Sequence, residues 1–268
     1  MKKIISIIIA TTMLLVAFCS CTPSQTEFNY SSNMKLVTGI TENRGSQSSD
    51  RWFQPETLAG LNYLYKERFE KELDSDILIF KCKVVGNSKI IADYDELCKM
   101  FSENCKSDDE THRIFQSSIH TPVLVEEIYY MSPTLQVKEG DIIYYEEFYT
   151  CIDEDLYSKI PNTVEKYDLK VGDLLLGLGS DSAFYQEMFL EKDHSYIIYC
   201  SKADYSPITY EYEYYEAVYE NLPIYCVDRE PMPVDYYGKY EEHEYQRYLN
   251  IRKDAIDYYI NGNKEVLS

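Results

Sequence analysis

Basic residues are scarce in this chain of 268 residues. Lys and Arg number 26 against 46 Asp and Glu, which gives a formal net charge of −20 at pH 7. Nucleic acids reward clustered Lys and Arg, so this composition argues against a nucleic-acid-binding protein. Anionic lipid would be repelled as well, which excludes a polybasic membrane patch. Solubility and electrostatic repulsion from the cell envelope are sufficient to explain the acidic surface.

Patterns that are typical of metal sites and hydrolases are missing too. No C-x-x-C pair occurs and the histidines are scattered (His112, His120, His194 and His243), so we expect no metal site. There is no G-x-S-x-G elbow. The run Gly177-Leu178-Gly179-Ser180 lacks the lysine of a phosphate loop and is expected to be a turn. We therefore expect no cofactor, no catalytic residues and no enzymatic activity.

The acidic clusters and the cysteines leave two alternatives open, which are calcium binding and a cysteine nucleophile. Neighbours such as Glu126-Glu127 and Glu146-Glu147 point to opposite faces of a strand and cannot flank one glycosidic bond. Asp74-Ser75-Asp76 and Asp153-Glu154-Asp155 lack the glycine and closing glutamate of an EF-hand, although calcium binding remains an alternative. A cysteine nucleophile would need a histidine partner, such as Cys200 with His194 or His120.

The N-terminal segment has the layout of an export signal. Lys2 and Lys3 precede an apolar run of about fifteen residues, and the small residue Ser20 stands directly before Cys21. About 20 apolar residues are needed to span a bilayer, so this run is too short for a membrane helix. Residues 1–20 are therefore expected to be removed.

Phe18-Cys19-Ser20-Cys21 resembles the lipobox of bacterial lipoproteins, with Phe18 where leucine is usual. The resemblance implies acylation of Cys21 with chains such as palmitate, and cleavage before that residue. It also implies a protein held at the extracytoplasmic face of the cell membrane, because two or three acyl chains form a stable anchor. An ordinary signal peptide with an incidental cysteine is the alternative.

The cysteines of the exported part are expected to be mostly buried. Six cysteines remain, an even number that permits disulfides. Four of them lie in apolar runs and are expected to be buried thiols: Cys82, Cys151, Cys200 and Cys226.

Tyrosine is abundant, with 28 residues against one Trp. A half-buried tyrosine-rich sheet explains this best, while a face that binds peptide or glycan is the alternative, with Tyr210, Tyr212 and Tyr214 as candidate ligand contacts.

The pattern along the chain predicts a tether, a β domain and a final helix. Residues 21–50 are polar and are expected to be a lipidated, flexible tether. Residues 51–235 would form the domain and residues 236–268 a helix packed on it. Periodic apolar positions predict a helix over 55–73, with Pro55 in its first turn, and a capping box predicts a second over 93–105.

Apolar alternation and turn residues predict strands over 77–84, 121–131, 142–151, 174–178, 194–200, 210–219 and 222–227. Pro122 is expected to mark an edge or a bulge at the start of its strand. An amphipathic helix is expected over 241–261, capped by Gly262 and with one apolar face: Tyr245, Tyr248, Leu249, Ile256 and Ile260.

Four stretches are similar to a group of small secreted bacterial β-domains. They are the strand beginning Ser75-Asp76-Ile77, the strand beginning Thr121-Pro122-Val123, the turn and strand over residues 137–143, and the later strand around His194-Ser195-Tyr196. The resemblance implies a compact, OB-like small β-barrel. Together with the helices predicted above, the expected fold is mainly β (α+β), with an N-terminal helix, an inserted helix and a C-terminal amphipathic helix around the barrel. The resemblance also implies a Gram-positive cell-surface lipoprotein and assigns no catalytic residues.

These observations together favour a non-catalytic binding or scaffolding module of the cell envelope, with the bilayer and an envelope peptide or glycan as partners. A solute-binding lipoprotein of an importer is the alternative, although alternating βα units are absent. An envelope hydrolase is the less favoured third reading.

Overall fold

The structure is a computed structural model that describes residues 24–28, 36–37, 55–72, 74–92, 117–147, 149–176, 190–203, 212–216, 224–230 and 242–267. The helix predicted over 93–105, the signal segment with Cys21, the loop at 177–180, and Tyr210 lie outside these residues. Among the described residues, no helix is both long and apolar enough to cross a bilayer.

Eleven strands are described, in chain order: β1 (Ser24–Phe28), β2 (Leu36–Val37), β3 (Ile77–Val84), β4 (Ser88–Ala92), β5 (Ser117–Met131), β6 (Ile142–Glu147), β7 (Tyr149–Cys151), β8 (Leu174–Leu176), β9 (Ser195–Lys202), β10 (Tyr214–Glu216) and β11 (Ile224–Cys226). The helices are α1 (Leu58–Tyr63, continued as a π-helix over Leu64–Glu72), α2 (Glu154–Lys159), α3 (Pro161–Tyr167) and α4 (Glu242–Ala255, continued as a π-helix over Ile256–Ile260). A 3₁₀ turn follows at Lys264–Leu267.

Five of these strands close into a mixed barrel. Strand β5 pairs antiparallel with β3 and with β6, β3 pairs antiparallel with β9, and β9 pairs antiparallel with β10. Strand β10 then closes the barrel by pairing parallel with β6. If β3, β5, β6, β9 and β10 are numbered as barrel strands one to five, their order around the barrel is 1-2-3-5-4, and strands three and five are parallel. This is the Greek-key arrangement of OB folds. The predicted mainly β, OB-like architecture is therefore confirmed.

Strand β3 separates two apolar layers. Phe80, Cys82 and Val84 point into the barrel interior, while Ile77 and Ile79 face the helices on the other side. This follows from the alternation of side chains along a strand. Because both of its faces are covered, β3 is buried along most of its length and forms the centre of the molecule.

The helices cover the outer side of β3 and β9. Thr57 caps α1, since its hydroxyl accepts a hydrogen bond from Gly60 N at 3.2 Å, and Pro55 therefore precedes the helix and does not lie in its first turn. From α4, Tyr248, Ile251 and Ala255 pack into the same layer as α1. Ile260 is 40% exposed, so its predicted place on the buried face of the last helix is wrong.

Two predicted strands differ from those observed. Strand β5 begins at Ser117, and Pro122 lies within it, at the point where its neighbour changes from β4 to β3. A residue without an N–H is tolerated at such a junction. The strand predicted over 142–151 is split into β6 and β7, because β7 joins a second, small sheet of order β2-β8-β7. The helices α2 and α3, which precede that sheet's β8, were not predicted.

Two short strands fall within the segment that the sequence predicts as a tether. Strand β1 pairs antiparallel with β4, and β2 pairs parallel with β8. The four described cysteines lie in β3, β7, β9 and β11 as buried thiols, as predicted.

Candidate functional site

Tyr212 and Tyr214, two of the tyrosines singled out in the sequence, lie together on the outside of the barrel. Tyr214 pairs with Tyr144 of β6 across the parallel closure. The following residues of both strands, Tyr145 and Tyr215, belong to the barrel core. Because side chains alternate along a strand, Tyr144 and Tyr214 point outward.

Strands β4 and β5 add two nitrogen-bearing side chains to this surface. His120 of β5 is the register partner of Glu146 in β6 and of Lys89 in β4. Paired residues of neighbouring strands share a face of the sheet, which brings both groups beside the tyrosines. Lys89, His120, Tyr144, Tyr212 and Tyr214 are called the aromatic face below.

Ring contacts hold the aromatic face together. The Tyr144 and Tyr212 rings are stacked, with centroids 3.9 Å apart and planes at 25°. His120 stacks on Tyr214 at 4.6 Å and 29°. The hydroxyl of Tyr212 lies 3.3 Å from His120 Nδ1. Tyr212, which precedes β10, is thereby fixed to both neighbouring barrel strands.

Lys89 is the cationic member of the aromatic face. Its Nζ lies 4.7 Å from the ring centroid of Tyr144 and 4.9 Å from that of Tyr212, within the range of cation–π attraction. Burial, and secondarily the charge of Lys89, lowers the pKa of His120 to about 4. At neutral pH the imidazole is therefore uncharged, and one ammonium group lies beside four neutral rings, while Glu146, the register partner of His120, places a carboxyl group on the same side of β6.

The aromatic face has a buried base and an accessible rim. His120 is fully buried and Tyr214 nearly so, whereas Lys89, Tyr144 and Tyr212 are half-buried. Ile142, two residues before Tyr144 and hence on the same face, is 58% exposed. The rim therefore offers apolar and aromatic surface with polar tips to solvent.

The position of this face within the barrel agrees with where OB folds bind ligands. Strands β5 and β6 are the second and third barrel strands, and Tyr212 comes from the connection between the fourth and fifth. In OB folds that strand face, with the loops after strands one and four, binds oligonucleotides and oligosaccharides.

A buried carboxyl group lies on the opposite, interior side of β6. Glu147 accepts hydrogen bonds from the Thr121 hydroxyl, from Tyr149 OH at 2.8 Å and from Leu190 N at 2.9 Å. Burial nevertheless raises its pKa to about 7, although these three donors favour the charged form. Glu146 faces the other way, as its register with His120 shows, so the expected divergence of this acidic pair is confirmed.

Another polar group, which the sequence analysis missed, lies where β9 and β11 meet. His194 Nδ1 is 2.9 Å from Asp228 Oδ1, and the thiol of Cys226 donates to the same oxygen at 3.2 Å. The sequence gives no recognisable signal for this group, because Cys226 and Asp228 are only two residues apart and His194 lies 34 residues before Asp228. Only strand pairing brings the three together.

Three of the remaining acidic candidates have structural partners. Asp153 caps α2 by accepting a hydrogen bond from Leu156 N, and Asp155 pairs with Lys159. Glu126 forms an ion pair with Lys81 at 2.9 Å. The thiol of Cys200 donates to Leu78 O at 3.6 Å, while His194 and His120 contact the groups already described. The structure thus does not assemble a cysteine nucleophile from these residues.

Comparison of the chain with protein-family models, with curated proteins and with solved structures gave no match in any of the three.

Proposed function

We propose that the chain is a non-catalytic binding module of the cell envelope whose aromatic face holds an oligosaccharide. The observation that carries the proposal is the stack of Tyr212 on Tyr144, on the outer surface of the second and third barrel strands. An aromatic platform at the ligand face of an OB-like barrel suits a flat, extended polymer.

Charge decides between the two polymers that OB folds commonly bind. The aromatic face has a single ammonium group, Lys89, and the whole chain has a net charge of −20. Binding to a nucleic acid draws its affinity from many phosphate contacts, which one lysine does not supply. A neutral sugar chain needs apolar surface for its ring faces and hydroxyl tips for its edges, and tyrosine offers both.

Lipid on Cys21 completes the proposal. It would keep the barrel at the extracytoplasmic side of the cell membrane, where envelope glycans are within reach. Labelled fatty acid should enter the natural protein and not a Cys21→Ala variant. Equal labelling of the two, or recovery of the natural protein in the cytosol, would refute the anchor without bearing on the aromatic face.

The ligand proposal is tested with residues 22–268, because this form keeps β1 and its pairing with β4. Retention is compared on immobilised oligosaccharides, envelope peptides and single-stranded DNA, and the strongest oligosaccharide is then titrated. Retention of peptide alone would identify a peptide-binding protein instead, and retention of DNA or of nothing would contradict the proposal.

Variants locate the binding to the aromatic face. Tyr212→Ala removes the outer ring of the stack and should weaken oligosaccharide binding about tenfold, which corresponds to about 1.4 kcal/mol. Tyr212→Phe keeps the ring and should retain most of the affinity. Tyr63→Ala is the matched control, because Tyr63 is 62% exposed and lies on α1. Equal affinities of all three variants would place the ligand elsewhere.

A further inference from the structure

The ladder between β9 and β11 brings three different metal-ligating side chains to one end of the barrel. Strand β11 runs antiparallel to β9 with Cys226 opposite Tyr196, and the pairing continues through Val227 N to Ser195 O at 2.9 Å. His194 directly precedes β9, and Asp228 follows β11 by two residues. The Nδ1, Sγ and carboxylate oxygen atoms of His194, Cys226 and Asp228 all lie within 4.8 Å of one another.

We propose that His194, Cys226 and Asp228 form a zinc site. In a tetrahedral site with bonds of about 2.0 Å to N and O and 2.3 Å to S, neighbouring ligand atoms lie about 3.5 Å apart. The separations here are 2.9 Å between Nδ1 and Oδ1 and 3.2 Å between Sγ and Oδ1. Small side-chain rotations therefore suffice to admit the ion.

The donor set favours zinc over calcium or magnesium. Thiolate and imidazole are ligands for borderline and soft metals, whereas Ca²⁺ and Mg²⁺ take oxygen ligands. A thiolate, a carboxylate and a neutral imidazole carry two negative charges, which one divalent ion neutralises. Binding would release the thiol proton of Cys226, while the neutral imidazole would bind through Nδ1 and carry its one hydrogen on Nε2.

The surroundings supply the support that metal ligands commonly have. The other ring nitrogen of His194, Nε2, lies 3.9 Å from Glu191 Oε2, so this carboxylate would orient a metal-bound ring after a modest approach of the two groups. The second oxygen of Asp228 accepts a hydrogen bond from Ser195 N at 2.9 Å, which leaves Oδ1 directed at the other two ligands.

Solvent reaches the site from one side. Cys226 is buried, His194 is half-buried and Asp228 is exposed. An ion can therefore enter from solvent, and a water molecule can occupy the fourth position. The expectation that scattered histidines make no metal site rested on sequence spacing, whereas here the ligands come from two paired strands.

Cobalt substitution tests the proposal on residues 22–268, stripped of metal with a chelator. Co²⁺ should bind in a 1:1 ratio with a thiolate-to-cobalt charge-transfer band in the near ultraviolet, and Zn²⁺ should abolish that band by displacement. Cys226→Ser should lose the band, while Cys151→Ser, which alters another buried strand thiol, should keep it. Absence of the band in the natural protein, or its persistence in Cys226→Ser, would overturn the proposal.

Asp228→Asn provides a second test that does not disturb the core, because Asp228 is exposed. It should weaken Zn²⁺ binding at least tenfold, whereas Asp193→Asn, on the neighbouring exposed turn, should not. Equal Zn²⁺ affinities for these two variants would show that the acidic surface as a whole, and not this site, attracts the ion.

Discussion

Replacing Glu147 with Gln should stabilise the protein at alkaline pH and leave it nearly unchanged at acidic pH. Glu147 is buried among Thr121, Tyr149 and Leu190, and burial raises the pKa of its carboxyl from 4.5 to about 7. The unfolded chain keeps the lower value. Between pH 4.5 and 7 the folded state therefore binds the proton more tightly than the unfolded state does, and stability falls as the pH rises through this window.

The size of the effect follows from the two pKa values. One pKa unit corresponds to 1.36 kcal/mol, so ionised Glu147 costs about 3 kcal/mol of folding free energy above pH 7. A glutamine keeps the local hydrogen bonds. Its oxygen can accept from Leu190 N and Tyr149 OH, while its amide donates to the Thr121 hydroxyl. Thr121 can then donate to Ser88, whose Oγ lies 2.6 Å from the Thr121 hydroxyl oxygen.

Urea unfolding at pH 4.5 and pH 8 measures the difference. We expect Glu147→Gln to match the natural protein at pH 4.5 and to exceed it by about 3 kcal/mol at pH 8. Glu139→Gln is the control, since it makes the same substitution on an exposed turn and should not reproduce the gain in stability at pH 8. If Glu147→Gln is destabilised equally at both values, then the carboxylate is a net stabilising group and the reasoning fails.

Three further predictions concern His120, Asp153 and Phe80. The pKa of His120 is lowered to about 4, so its imidazole resonance should titrate near pH 4 in an NMR titration, and a midpoint near 6.5 would contradict its burial beneath Tyr212. Asp153→Ala removes the cap of α2 and should cost about 1 kcal/mol in chemical unfolding, whereas Asp153→Asn should be nearly neutral. Phe80→Ala empties the centre of the barrel and should cost about 3–5 kcal/mol, and a loss below 1 kcal/mol would show that Phe80 is not in the core.

The strands whose apolar alternation is regular were predicted close to their observed bounds. Ile77–Val84 is an example, because inward residues such as Phe80 alternate there with outward lysines. The division between β6 and β7 was missed, because the residues of the two strands form one continuous apolar run in the sequence. Only the pairing of Tyr149–Cys151 with β8 in the second sheet separates them. The short helices α2 and α3 were missed because neither is long enough to show a period, although Asp153 and Pro161 are good start signals.

The residues of the candidate site were likewise predicted only in part. Tyrosine abundance pointed to Tyr212 and Tyr214, because large amphipathic side chains are a local property of the sequence. Lys89, His120 and Tyr144 could not be associated with them, since the parallel pairing of β10 with β6 joins residues seventy positions apart. The same holds for Glu147, whose pKa depends on burial and on its distant partners.

By itself, the sequence determined the alternation that makes this chain mainly β, its burial of thiols in strands, and its acidic surface, because each depends on residue type and near neighbours. The tertiary structure alone decided which side chains meet. Barrel closure stacked Tyr212 on Tyr144, and the pairing of β9 with β11 brought His194 to Cys226 and Asp228. Contacts of this kind depend on strand register across long loops, which no local pattern encodes.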